Sequence, residues 1–262
     1  MAEPMAEPAT GAAPGAAPFV RRLLAQARVE GLATLRNGES VLLTLGIPVM
    51  LLLFFANVDV LPTESVADEA IDFLAPGVLT LALLSTSMTG LAIATGFERK
   101  YGVLKRLGVT PLGRPALLGG KTAAVVGVVV LQVLVISALS LAMGWRPDPG
   151  GVGLALLAAV LGVAAFAGLG FLMAGTLEAE ITLAAANGLW LVFLLLGGIV
   201  VPLAELPDAL ETVARLLPVT ALGEIIGGTV GDGADVRALA WVVLVVWAVV
   251  APAAAARWFR WE

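Results

Sequence analysis

The sequence predicts an all-α polytopic membrane protein, with six transmembrane helices and an N-terminal amphipathic surface helix. Three observations carry this. Hydrophobic residues make up 60% of the 262 residues without counting 30 glycines, and charged residues only 13%, against about 25% in soluble domains. With 15 basic and 20 acidic side chains, lipid rather than water must cover most of the surface. The apolar residues gather in runs near the roughly 20 residues that cross a bilayer, and the basic residues collect on one side of those runs.

The composition also excludes chemistry. There is no Cys and no His, so disulfides, thiolate nucleophiles, the commonest general base and the usual zinc ligands are all missing. The chain is expected to be no enzyme. A membrane-embedded hydrolase would need a base beside serines such as Ser85, Ser87 or Ser137, and their spans supply none.

Residues 1–18 repeat MAEP and GAAP, a composition that cannot bury a core, and are expected to form a disordered Ala/Pro-rich tail. The tail is acidic and has no apolar run, so it does not read as a signal peptide. The remainder, 19–262, reads as one transmembrane domain. At 20–36, Val20, Leu23, Leu24, Ala27, Gly31 and Leu35 form one stripe with Arg22, Gln26 and Arg36 opposite. This predicts a helix on the membrane surface, its basic side toward anionic headgroups; a short water-facing helix is the alternative.

The spans are placed at about 40–58, 75–95, 122–143, 151–175, 181–201 and 238–256. Between the fourth and fifth, Glu178 and Glu180 mark a tight surface hairpin, because two carboxylates are costly at mid-bilayer. Twelve of the fifteen Lys and Arg lie before span one, between spans two and three, or after span six. The positive-inside rule then puts both termini in the cytoplasm.

Within these boundaries no span carries Asp, Glu, Lys or Arg, and away from the span ends Gln132 and Asn187 are the strongest polar groups. An ion-coupled transporter needs ionisable groups or unwound carbonyls at mid-membrane, so any uphill transport here would draw energy from outside the membrane. Gln132 and Asn187 are candidates for a substrate pathway or, more simply, for interhelical hydrogen bonds. Gly90 with Ala94, and Ala164 with Gly168, signal close helix contact. Gly120, Lys121 and Thr122 look like the end of a phosphate loop, but that motif needs Gly where Pro115 stands. Lys121 is expected instead to snorkel toward the headgroups at the start of span three.

The stretch from Phe97 to Lys121 holds six of the basic residues. Thr110 and Pro111 suit a cap and first turn, and Arg114 and Pro115 restart the chain into span three. On charge alone this is a positive-inside loop with a short helix under the membrane. Its residues Glu98, Arg99, Gly102, Lys105 or Arg106, Leu107, Thr110, Pro111, Leu112, Gly120 and Lys121, following a span with Pro76 and Gly77 near its outer end, resemble the integral membrane permeases of the type-two ATP-binding-cassette exporters. The resemblance covers the chain from about Arg21 onward.

That resemblance implies a coupling helix between spans two and three that docks on a separate cytosolic ATPase, with Glu98, Arg99, Gly102, Lys105, Arg106, Thr110 and Pro111 as coupling residues. The surface helix near Arg28 and the hairpin at Glu178 and Glu180 would be further contacts. The chain itself would hold no cofactor; ATP and Mg would sit in the partner ATPase. It further implies a homodimer in a bacterial plasma membrane, with lipid as its surroundings and no nucleic acid as partner, and efflux of a hydrophobic drug, antibiotic or lipid-like molecule. A non-transporting scaffold and an ATP-independent pore are the alternatives.

After Pro202, Leu206, Leu210, Val213 and Leu217 form a stripe that predicts a helix on the outer surface. Pro218 starts a second helix through Ile226, ended by Gly227 and Gly228. The resemblance implies that this pair are outer re-entrant helices before the last span, a lid over the exit path, although Leu217 stands where many relatives have Asn. Glu224 is a candidate for steering a cationic substrate in the pathway, or sits at the waterline.

Overall fold

The computed structural model describes residues 17–55, 70–108, 110, 112–199, 203–231, 233 and 235–261. Among these residues every regular element is helical: α1 (Phe19–Arg36), α2 (Gly38–Val41), α3 (Ile47–Phe55), α4 (Ala70–Leu84), α5 (Leu91–Lys100), α6 (Val103–Gly108), α7 (Arg114–Ala142), α8 (Val152–Thr176), α9 (Ala179–Leu196), α10 (Asp208–Ala214), α11 (Pro218–Val230) and α12 (Ala238–Trp258). Two π-helical segments interrupt the first two spans, Leu42–Gly46 between α2 and α3 and Ser85–Gly90 between α4 and α5. The expected N-terminal tail lies almost wholly outside the described residues.

Five helices are long and apolar enough to cross a membrane: Ile71–Lys100, Pro115–Ala142, Val152–Thr176, Ala179–Leu196 and Ala238–Trp258. They correspond to the second through sixth expected spans. The first expected span is helical from Gly38 to Phe55, but its apolar stretch, Thr44–Phe54, is shorter than a full crossing, and residues 56–58 lie outside the described set. A further pair, α10 and α11, is bent by 85° at a short break and is either one broken span or a re-entrant loop.

Several boundaries move, for physical reasons. The helix of span two continues past Thr95 to Lys100, and that of span three begins at Arg114 rather than Thr122, with Pro115 in its first turn. An apolar run marks the hydrocarbon, whereas helices continue through the headgroup layer until their backbone is capped. Span five ends at Leu196 rather than Val201, since Gly198 adopts φ +72°, a left-handed conformation that stops the helix. Gly227 and Gly228 do not end α11, which runs on to Val230.

The core gathers around α8. Phe166 is fully buried there, beside Phe193 of α9 and Leu244 of α12. Glycine makes the closest contact possible: a Cβ at Gly168 would lie 2.4 Å from the backbone nitrogen of Pro252. That nitrogen carries no hydrogen, so α12 presents a bare backbone to the α8 glycine without losing a bond it could have made. The expected close contact of Gly168 is therefore found, but Gly90 and Ala94 are exposed and pack on no other helix of this chain.

The outward faces of α7, α8 and α12 expose Leu134, Val160, Val249 and similar side chains. Such surfaces are costly in water and ordinary in lipid. The stripe of α10 also faces outward, with Leu210 and Val213 exposed, as a helix lying in a membrane interface requires.

Candidate functional site

The expected coupling residues cluster where α5 ends, α6 turns and α7 begins. Gly102, at φ +70°, makes the turn after α5 that lets α6 leave the span axis; its φ is one that residues with a Cβ rarely adopt. In α6, Leu104 is fully buried and anchors the helix, while Tyr101 just before it, Val103, Lys105 and Arg106 are exposed. The Thr110 hydroxyl donates to the Leu107 carbonyl at 2.6 Å and closes the helix end. Pro111 lies outside the described residues.

Glu98 and Lys121 depart from expectation. Lys121 does not snorkel: its side chain is only 2% exposed. Its Nζ donates to Glu30 Oε1 of α1 at 2.7 Å and to Glu98 Oε1 of α5 at 2.7 Å. A lysine withdrawn from water must be paired to stay charged, and two carboxylates from two other helices provide the partners. Glu98 thus turns inward instead of toward the open face. The partner missed in the sequence is Glu30 of α1, which lies 91 residues before Lys121, and the local signals for their meeting were Gly119 and Gly120. A Cβ at Gly120 would lie 2.6 Å from Gln26 Cβ, so α1 rests directly on α7.

The surface helix is accordingly not free on its polar side. Arg22 and Gln26, on the side expected to face anionic headgroups, lie toward α7. The Arg22 guanidinium donates to the Leu112 carbonyl at 3.1 Å, and Gln26 donates to Glu30 at 2.7 Å. Val20, Leu24 and Leu35 of the expected apolar stripe are exposed, so α1 has one edge for protein and one for lipid.

Arg99 donates to the Leu177 carbonyl at the end of α8, and Lys100 pairs with Glu180 at the start of α9. Both tie the end of span two to the hairpin at Glu178 and Glu180. The C-terminal stretch joins the same end: the Arg260 N–H donates to the Gly175 carbonyl at 3.0 Å, and Phe259 packs edge-on against Phe171.

The three candidate pathway residues are placed apart. Gln132 is fully buried; it accepts from the Thr86 hydroxyl at 2.9 Å and donates to the Thr44 carbonyl at 2.5 Å. Both partners belong to π-helical segments, whose wider turns free backbone groups that then need partners. Asn187 is exposed on α9 and donates to the Leu183 carbonyl of its own helix at 2.9 Å. Glu224 is a fastening of the outer helices: it accepts from the Arg237 backbone N–H at 3.0 Å, pairs with the Arg237 side chain at 3.3 Å and lies 3.8 Å from Arg215.

Among the described residues no group of acidic side chains is arranged to hold a metal ion. Charged residues staple helix ends together at one end of the bundle, while α6 exposes a small mixed basic and apolar face. Residues 23–229 match the family model described as ABC-2 type transporter. No curated protein matches the chain.

Proposed function

The chain belongs to the ABC-2 type transporter family, as a multi-pass membrane subunit whose ATP hydrolysis takes place in a partner ATPase, and on that premise we propose that it is an export permease worked through α6. The observation that carries this reading is the contrast within the coupling loop. Leu104 is buried and Glu98 is locked to Lys121, yet Tyr101, Val103, Lys105 and Arg106 stand outward on a short helix with a fixed base. A short helix held in this way can be pushed as a unit by an ATPase that closes on ATP and Mg.

Two copies would form the transporter. The exposed side of α9 supports this, for it carries Ala184, Asn187 and Gly188 outward. An amide is costly in lipid, and small residues allow helices to approach, so a second copy is a better neighbour for this face than acyl chains. The concentration of Lys and Arg at the α6 end favours a bacterial plasma membrane with both termini in the cytoplasm. Uncharged, Ala- and Val-rich spans suit a hydrophobic drug, antibiotic or lipid-like cargo.

The test is reconstitution of the chain with the ATPase that co-purifies with it, in vesicles loaded with hydrophobic drugs. ATP-dependent export, lost together with ATPase binding in Arg106→Glu, is the expected result. Transport without ATP would favour a pore, and ATPase binding without any transport would favour a scaffold; either overturns the export reading.

A further inference from the structure

The ion triad explains how α6 is held, and its third member points beyond α6. Glu30 belongs to α1, Glu98 to the end of α5 and Lys121 to the second turn of α7. One ammonium, 2% exposed, serves carboxylates that are 23–25% exposed. Without Lys121 nothing would hold these carboxylates together, since like charges repel at this separation. The α1 to α7 contact is close, because Gly119 and Gly120 let Leu23 and Gln26 settle on the α7 backbone, and the Glu30–Lys121 pair pins it there. What Lys121 adds is the link from that pair to α5, and through the Tyr101–Gly102 turn to α6.

We infer that Lys121 is a positioning residue: by pairing with Glu30 and Glu98 it fixes α1, the end of span two and the start of span three into one body that moves when α6 moves. This rests on the export reading for its functional consequence but not for its geometry. The Arg22 bond to the Leu112 carbonyl closes the same body from the other side of α6. Because the stripe of Val20, Leu24 and Leu35 faces outward, displacement of α6 would be felt by α1 against the lipid surface.

The chain has no native Cys, so spin labels at Arg28→Cys in α1 and Arg106→Cys in α6 report on this body in the solubilised full-length chain. A narrow distance distribution is expected with Lys121 or with Lys121→Arg, and a broad one in Glu30→Gln and Glu98→Gln. The exchanged pair Glu30→Lys with Lys121→Glu should stay broad, because a carboxylate at position 121 repels Glu98. An unchanged width in both glutamine variants overturns the proposal, whatever the chain transports. In the reconstituted complex, Glu30→Gln should lower cargo moved per ATP about tenfold while bound ATPase and hydrolysis stay near wild type. A wild-type ratio in that variant overturns the role of α1 in coupling. If wild type itself moves no cargo with ATP, the export reading fails and the label distances alone decide this one.

Discussion

Gln132 accepts a hydrogen bond from Thr86 at 2.9 Å, with both side chains buried among the spans. Its other end reaches the Thr44 carbonyl, so one amide joins the π-helical segments of the first two spans to α7. In Gln132→Leu both partners lose their bond in a place without water. A lone interhelical bond contributes only about 0.6 kcal/mol in membranes, but stranded buried partners raise the expected loss to about 1–2 kcal/mol. Thermal unfolding in detergent checks this. Adding Thr86→Val to Gln132→Leu should cost less than Thr86→Val alone.

Gly168 and Gly127 should respond oppositely to alanine. A Cβ at Gly168 collides with the backbone of Ala251 and Pro252, whereas nothing lies within 4 Å of the same atom at Gly127. Gly168→Ala forces α8 and α12 apart and should cost about 2 kcal/mol or more. Gly127→Ala should be neutral or stabilise by up to about 1 kcal/mol through helix propensity. Melting curves of the two variants, measured side by side, decide it.

The two lysine pairs should also differ. Lys100 and Glu180 are 44% and 60% exposed, and water screens such a pair, so Lys100→Ala should melt close to wild type. Lys121→Met removes the partner of two half-buried carboxylates and should cost about 3 kcal/mol or more. Equal effects in the two variants would contradict the burial of Lys121.

Glu224 ties the Arg237 N–H at the start of α12 to the bend between α10 and α11. Glu224→Ala should therefore speed amide exchange at Arg237 and through α10, leaving α8 protected. Exchange mass spectrometry would show this as a local loss of protection, and a uniform change across all helices would count against the fastening role.

How much of this was legible follows from which signals are local. The apolar runs and Pro115 were local, and they located α7 through α9 and α12 to within a few residues, apart from the headgroup-layer turns. The bend at Pro218 was legible too, because proline begins a helix more readily than it continues one. The triad was not, since a lysine beside an apolar run looks the same whether lipid headgroups or distant carboxylates receive it. Glu224 was legible as an oddity among apolar neighbours, but its partners come from two other elements. Asn187 read as a pathway residue or an interhelical bond-maker; it bonds its own helix and faces outward, which no single-helix pattern distinguishes.

The π-helical segment Ser85–Gly90 has a geometric consequence at a distance. A π turn holds one residue more than an α turn, and each residue rotates a helix by about 100°. Everything downstream of Gly90 is thus dialled round relative to a straight projection of span two, and that azimuth aims Glu98 at Lys121. Shortening the segment by a single residue would swing the carboxylate off its target and unfasten the loop without altering any residue of the loop itself.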